Sequence, residues 1–160
     1  MLVEFRPPLP DDYQFICNLV HDKKELFMVY PKGQFPFTVS QFEAMLDRRV
    51  EPTVLMIDGE VVGFAAFYQL RKARFVFIGN VIVDRSRRGS GLGRKLVSYM
   101  SEMAFAKYNL PEVRISVYNR NTRALILYTS LGFTPYAIQS KTDLSGHRVA
   151  LLSLSLRRDN

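Results

Sequence analysis

Two rhythms of apolar and polar positions run along the chain, one near 3.6 residues and one of 2, and the changes between them outline its elements. Residues 2–5 read as a short strand closed by Pro7-Pro8. Asp11 and Asp12 then open a helix over 11–20 with Phe15, Ile16, Leu19 and Val20 facing inward. A second short helix is expected over 24–30, stopped by Pro31-Lys32-Gly33. Thr38 and Gln41 stand at capping-box spacing and start a helix whose core face is Phe42, Met45 and Leu46.

From residue 53 the rhythm becomes strand-like. Strands are predicted over 53–57 and 61–70, joined by the two-residue hairpin signal Asp58-Gly59. A third spans 75–83 and carries Gly79-Asn80 inside it, the mark of a bulge or a close backbone approach. A long helix over 91–108 follows, with Leu92, Leu96, Met100, Met103 and Ala104 on its core face. A strand at 113–118, a helix at 121–131 and strands at 133–139 and 148–156 complete the order. No linker, repeat or low-complexity segment interrupts it. The expectation is one mixed α/β (α+β) domain, 1–160, on a mostly antiparallel sheet.

A chain of 160 residues buries about 68–70% of its unfolded surface, enough for a sizeable core. Its 48% hydrophobic and 23% charged content excludes disorder and coiled coil. Glu4 and Arg6 interrupt the start, and no apolar run approaches the roughly 18 residues of a membrane helix. Cys17 is the lone cysteine and permits no disulfide within the chain, which fits a reducing, cytoplasmic setting. It is expected to be a small core residue. His21 and His147 lack metal-ligand spacing, so no metal is expected. The net charge of +7 points to an anionic partner without naming it. Basic residues gather partly at 85–95 and at Arg157-Arg158, and no base-stacking motif is visible, so neither nucleic acid nor membrane is the expected partner.

The run at 85–95 holds the chemistry. A strand feeds the loop Arg88-Gly89-Ser90-Gly91-Leu92-Gly93-Arg94, which opens a helix. Free N–H groups and the dipole at a helix start form an anion site, and glycines let an anion approach the backbone. Counted from Gly89, a Walker loop would need its second glycine where Arg94 stands. A dinucleotide fingerprint would need glycine at Arg94 or Leu96. Both spacings fail. Arg88-x-x-Gly91-x-Gly93 matches instead the pyrophosphate loop of the GCN5-related N-acetyltransferase (GNAT) family, which the chain resembles. Downstream, Asn121-x-x-Ala124-x-x-Leu127-Tyr128-x-x-x-Gly132-Phe133 is similar to a second signature of that family. The resemblance spans about 61–156.

The resemblance implies a GNAT fold: a mostly antiparallel sheet of six to seven strands, its middle strands 75–83 and 113–118 splayed, flanked by four to five helices. It implies acetyl-CoA as co-substrate and an acyltransferase that moves an acetyl group to a primary amine by direct attack in a ternary complex. The cofactor would lie along Val81, Ile82 and Val83, with its pyrophosphate on Arg88, Gly89, Ser90, Gly91, Leu92, Gly93 and Arg94. Backbone N–H near Val83 would polarise the thioester carbonyl, and Asn121 would hydrogen-bond the pantetheine arm. Tyr128 would give or share a proton with the leaving thiolate. Some members carry a glutamate five residues before the asparagine; here that residue is Ser116. A serine is no simple base, so Ser116 and Asn80 are expected to position water or the amine.

The segment His21-Asp22-Lys23-Lys24-Glu25, with Phe27, Tyr30, Lys32, Tyr68 and the turn before Arg148, resembles bacterial GNATs that acetylate lysine side chains, including C-terminal lysines of peptides. On that resemblance Asp22 and Glu25 are candidate remote carboxylates, and Arg148, ahead of Lys32, is the candidate for meeting a substrate carboxylate. Acetylation of a small-molecule amine (polyamine, antibiotic or amino acid) and a non-catalytic acetyl-CoA sensor stay open, as do monomer and homodimer.

Overall fold

The stretches of period 2 become seven strands of one sheet in the computed structural model, which describes residues 1–159. In chain order they are β1 (Val3–Arg6), β2 (Val50–Ile57), β3 (Glu60–Arg71), β4 (Phe75–Val83), β5 (Glu112–Tyr118), β6 (Thr134–Thr142) and β7 (Arg148–Arg157). Across the sheet they run β1-β2-β3-β4-β5-β7-β6. β4 and β5 pair in parallel, and every other neighbouring pair is antiparallel. Among the described residues five α-helices cover the two faces. α1 (Tyr13–Asn18), α2 (Lys23–Val29) and α3 (Val39–Leu46) lie on one, α4 (Leu92–Ala106) and α5 (Thr122–Ser130) on the other. The mixed α/β expectation and the mostly antiparallel sheet are what the chain forms. No helix among the described residues is long and apolar enough to cross a membrane.

Helices on both faces explain why the central strands read as unbroken apolar runs rather than clean alternation. In β2, Val54 and Met56 pack toward α1–α3, while Leu55 and Ile57 pack toward α4 and α5. β3 repeats the division with Phe64 and Ala66 against Ala65 and Phe67. Phe42 of α3 meets Phe64 edge-on, ring centroids 5.2 Å apart. Phe42, Phe64 and Phe67 are fully enclosed, and each burial contributes roughly 1.5–3 kcal/mol.

Some details differ from the sequence expectation. The helix expected over 11–20 is a 3-10 turn, Pro10–Asp12, followed by the short α1. Ile16, Cys17, Leu19 and Val20 fill its inward arc, which leaves Phe15 on the far side, 63% exposed. Thr38 caps α3 by accepting from the Gln41 N–H at 3.3 Å, but the capping box is not completed. The Gln41 amide instead accepts from the Gln34 N–H and donates to the carbonyls of Gln34 and Pro36, tying that loop to the helix. β6 is exposed along its whole length and pairs only with β7.

The site is prepared where β4 leaves β5. Their pairing joins 75–78 to 112–115 and stops. On the other edge of β4 the register with β3 steps from Ala66–Gly79 to Phe64–Ile82, so β4 spends one extra residue there, a bulge. Asn80 takes the left-handed backbone conformation in it, with φ of 55°. A side chain on Gly79 would collide with the ring of Tyr68, which lies over its Cα.

Gly79→Ala should therefore lower stability by about 1–3 kcal/mol, the usual cost of overpacking. The loss should shrink in a Tyr68→Ala background. Denaturant midpoints of the four proteins in the cycle check this, and additive effects would refute the contact.

Candidate active site

Two cavities open on the wedge between β4 and β5. The larger, about 850 Å³, runs from Val81, Ile82 and Val83 over the glycine loop to the start of α5. α4 begins at Gly91, which takes φ of 83° and offers no side-chain cap, so the first-turn N–H groups face the cavity unclaimed by any side chain. Gly89 also has positive φ, and a Cβ on either glycine would meet nothing within 4 Å. Arg85, Arg87, Arg88, Arg94, Arg120 and Arg123 line this cavity. An uncapped helix start, a floor free of Cβ atoms and a rim of guanidinium groups fit the diphosphate of a nucleotide-bearing cofactor. Gly93 differs from the other two: a Cβ there would stand 3.0 Å from Leu127 Cδ2 of α5. Arg94 donates to Ser130 Oγ at 2.6 Å and reinforces the same α4–α5 contact. Ser90, expected among the phosphate ligands, does not line the cavity; its hydroxyl donates to the Arg87 carbonyl.

The smaller cavity, about 470 Å³, lies deeper in the wedge, between Tyr68, 78–81 of β4 and 115–118 of β5. Met28, Val29, Val81, Asn121 and Tyr128 line both cavities and form the waist between them. Tyr128 is 6% exposed, and burial pushes its phenol above the ordinary value. Burial disfavours the phenolate, so the Tyr128 O–H is kept protonated at the waist, where it can face a leaving thiolate. Asn121 caps α5, its Oδ1 accepting from the Ala124 N–H at 3.4 Å.

Asn80, expected to position water or the amine, lines the smaller cavity and is anchored there by protein. Its Oδ1 accepts from Arg49 Nε at 2.6 Å and its Nδ2 donates to the Val29 carbonyl at 2.9 Å, so both ends are taken by protein. It fixes Arg49 and the end of α2. Ser116 lines the smaller cavity, its Oγ 3.3 Å from Ser153 Oγ and beside the Tyr68 hydroxyl. Burial raises the Tyr68 phenol, while Ser116 and Arg49 oppose the shift.

The candidate substrate residues divide. Tyr30, Lys32 and Tyr68 line the smaller cavity. Phe27 lines neither and stacks on Tyr118 at 4.7 Å. Arg148 is exposed at the start of β7 and also lines neither, because the hairpin at 143–147 carries it away from the wedge. Asp22 and Glu25 are not on the acceptor side. Glu25 Oε2 lies 2.9 Å from Arg85 and 3.1 Å from Arg88, and Asp22 lies 3.2 Å from Arg85. Burial pushes the Glu25 carboxyl up, but the His21 N–H and the two guanidinium groups outweigh it and hold it below the usual range. Its carboxylate thus sits where a cofactor phosphate would draw the same arginines. Sequence reasoning missed Arg48 and Arg49 on the smaller cavity, and Arg120 and Arg123 on the larger. The last two flank Asn121, and their basic charge beside that motif was a readable signal.

The model of the acetyltransferase (GNAT) family matches residues 14–133. The chain belongs to that family. This GNAT enzyme is an N-acetyltransferase with acetyl-CoA as its co-substrate. It is 32% identical over 124 residues to the thialysine N-epsilon-acetyltransferase of Bos taurus, covering 76% of this chain and 70% of the relative. With the spermine/spermidine N(1)-acetyltransferase of Bacillus subtilis (strain 168) it shares 24% identity over 110 residues, 65% of this chain and 70% of that one. In three dimensions it is similar to spermidine N-acetyltransferase from Vibrio cholerae in complex with CoA and spermine. The TM-score is 0.81 at 16% identity, over 97% of this chain and 95% of that one.

Two substitutions that break the same ion pair should act in opposite directions. Arg88→Ala should weaken acetyl-CoA binding and Glu25→Gln should tighten it, each roughly fivefold, about 1 kcal/mol for one charge near the phosphates. Calorimetric Kd values check this; both variants weakening alike would show that the pair acts through structure.

Proposed function

We propose that this GNAT enzyme, one acetyltransferase domain over 1–160, acetylates the side-chain amine of lysine, in a peptide or protein or as a lysine-like small molecule, by direct attack in a ternary complex. The shared waist supports this: the two cavities meet at Val81, Asn121 and Tyr128, so donor and acceptor can be held together. The relative named for thialysine, a lysine analogue, points the same way.

Bound acetyl-CoA supplies an activated acetyl group whose transfer releases a thiol. The chain's residues do the rest. From Gly79 onward the β5-facing edge of β4 pairs with no strand, which leaves backbone groups near Val83 for a developing oxyanion. The first turn of α4, with Arg88 and Arg94, holds the diphosphate. Tyr128 donates a hydrogen bond at the waist. Ser116, with Tyr68 and Ser153, forms a hydroxyl cluster that passes the amine proton toward water. No aspartate, glutamate or histidine among the described residues lines the acceptor cavity to act as base. We also place the enzyme in the cytoplasm. Cys17 is buried and burial pushes its thiol up to about 11, so it is suited to stay reduced.

Thiol release with lysine, lysine peptides and spermidine is the deciding assay, and no release with any amine would overturn the reading. Tyr128→Phe should cut kcat at least about tenfold, the range of acid–base groups, with acetyl-CoA affinity kept. Ser116→Ala should lower kcat more than cofactor affinity; loss of affinity alone would make it a cofactor contact. With no base in the cavity, kcat/KM should climb about tenfold per pH unit between roughly pH 7 and 9, following the neutral amine. A plateau beginning below pH 7 would reveal an internal base.

A further inference from the structure

We infer that Lys32 is itself an acetylation site, modified within its own chain by bound acetyl-CoA; this rests on the acetyl-transfer reading above. Along the two cavities every cationic side chain among the described residues is an arginine except Lys32, on the smaller one. A guanidinium stays protonated in a protein and offers no lone pair to an acyl group. A lysine amine attacks once it has lost its proton. The other lysines among the described residues line neither cavity, not even Lys95 in the first turn of α4. Lys32 is thus the one side-chain amine among them that shares a cavity with Val81 and Tyr128.

Lys32 stands on a fixed base. The Gly33 N–H donates to the Tyr30 carbonyl at 3.0 Å and closes a tight turn with Pro31 and Lys32 at its centre. The Tyr30 ring lies against Phe37, centroids 5.8 Å apart, and a Cβ on Gly33 would stand 2.8 Å from that ring. The turn follows α2 directly, whose last residues, Met28 and Val29, line both cavities. The side chain beyond this base is unheld. Lys107 is bound by Glu51 at 2.9 Å, whereas Lys32 makes no hydrogen bond or ion pair among the described residues. No aspartate or glutamate among them lines the cavity to claim it. A fixed backbone and a free amine on the cavity wall present the nucleophile without a second binding event.

In the step, neutral Nζ forms a bond to the thioester carbonyl carbon, and the carbon–sulfur bond breaks. One Nζ proton goes to water, and the departing sulfur takes up a proton as the thiol. Acetylated Lys32 has lost both its charge and its nucleophile, so each chain reacts once. The new amide then stands in the cavity that the acceptor needs, and activity falls. A bound acceptor keeps Lys32 from the thioester. The modification therefore marks enzyme that holds acetyl-CoA with no acceptor beside it.

The test incubates the full chain with acetyl-CoA alone and maps acetylated lysines by peptide mass spectrometry. Lys32 should react at least about tenfold faster than the exposed Lys72, the advantage of a placed amine, at a rate independent of protein concentration. Tyr128→Phe should lower the Lys32 rate at least about tenfold and leave the Lys72 rate unchanged. Acetyl phosphate, which acetylates amines without the CoA handle, should show no preference for Lys32. Lys32→Arg should abolish both the label and the slow loss of activity on preincubation with acetyl-CoA. Saturating acceptor amine should protect Lys32. A Lys32 rate no faster than that of Lys72, or one that ignores Tyr128→Phe while turnover of added amine falls, would overturn the inference. A rate proportional to protein concentration would overturn the within-chain step. If added amines are acetylated and Lys32 is not, acetyl transfer stands and the inference falls; if acetyl-CoA binds and neither is acetylated, both fall.

Discussion

The site depends on one event in the sheet: β4 and β5 part after pairing 75–78 with 112–115. A sheet is ordinarily closed by its hydrogen bonds, and a ligand finds no way between strands. Here the bulge at Gly79-Asn80 turns β4 aside and leaves its edge, and that of β5, free. Asn80 keeps the turn in place because its amide is held at both ends, by Arg49 and by the Val29 carbonyl. Tyr68 fills the space a side chain at Gly79 would take. The opening is therefore part of the packing. It places β4 backbone, α2 and α5 around one waist.

Charge is divided along that opening. On the donor side many guanidinium groups surround an uncapped helix start, with Glu25 as their resident anion. Exposed ion pairs of this kind contribute about 0–1 kcal/mol each, so exchanging them for phosphate costs the fold little. On the acceptor side the cations are fewer, and Arg49 is the one that is fixed and half-buried. The hydroxyls of Ser116, Tyr68 and Ser153 gather there without a carboxylate. Proton removal from the acceptor thus falls to water and to the hydroxyl cluster.

Most of the fold was legible because its signals are local. Asp58-Gly59 gave its hairpin, Thr38 its cap, and the apolar runs of β2 and β3 their buried strands. The glycine loop was legible for the same reason: helix start, positive-φ glycines and flanking arginines lie within one short segment. The acceptor cavity was not. It joins the end of α2, the residues before β2, the bulge in β4 and the middle of β5, and nothing in any one segment announces the rest. Arg48-Arg49 reads as a polar step from helix to strand until Asn80 is placed beside it. Asp22 and Glu25 read as possible acceptor-side acids because their partners, Arg85 and Arg88, stand some 60 residues away. Arg148 looked near the cleft by its turn, but the hairpin leads it outward.

The packing of Gly93 has a bearing on how defects in this enzyme are interpreted. The glycine lets Leu127 of α5 settle on the first turn of α4, and Arg94 adds its bond to Ser130. The phosphate-holding turn and the helix that carries Tyr128 therefore touch each other directly. A side chain at Gly93 would press first on Leu127 of α5, the neighbour of Tyr128 in sequence. A damaged variant mapped to the glycine loop by sequence can thus be, in its physical origin, a misaligned hydroxyl on another helix.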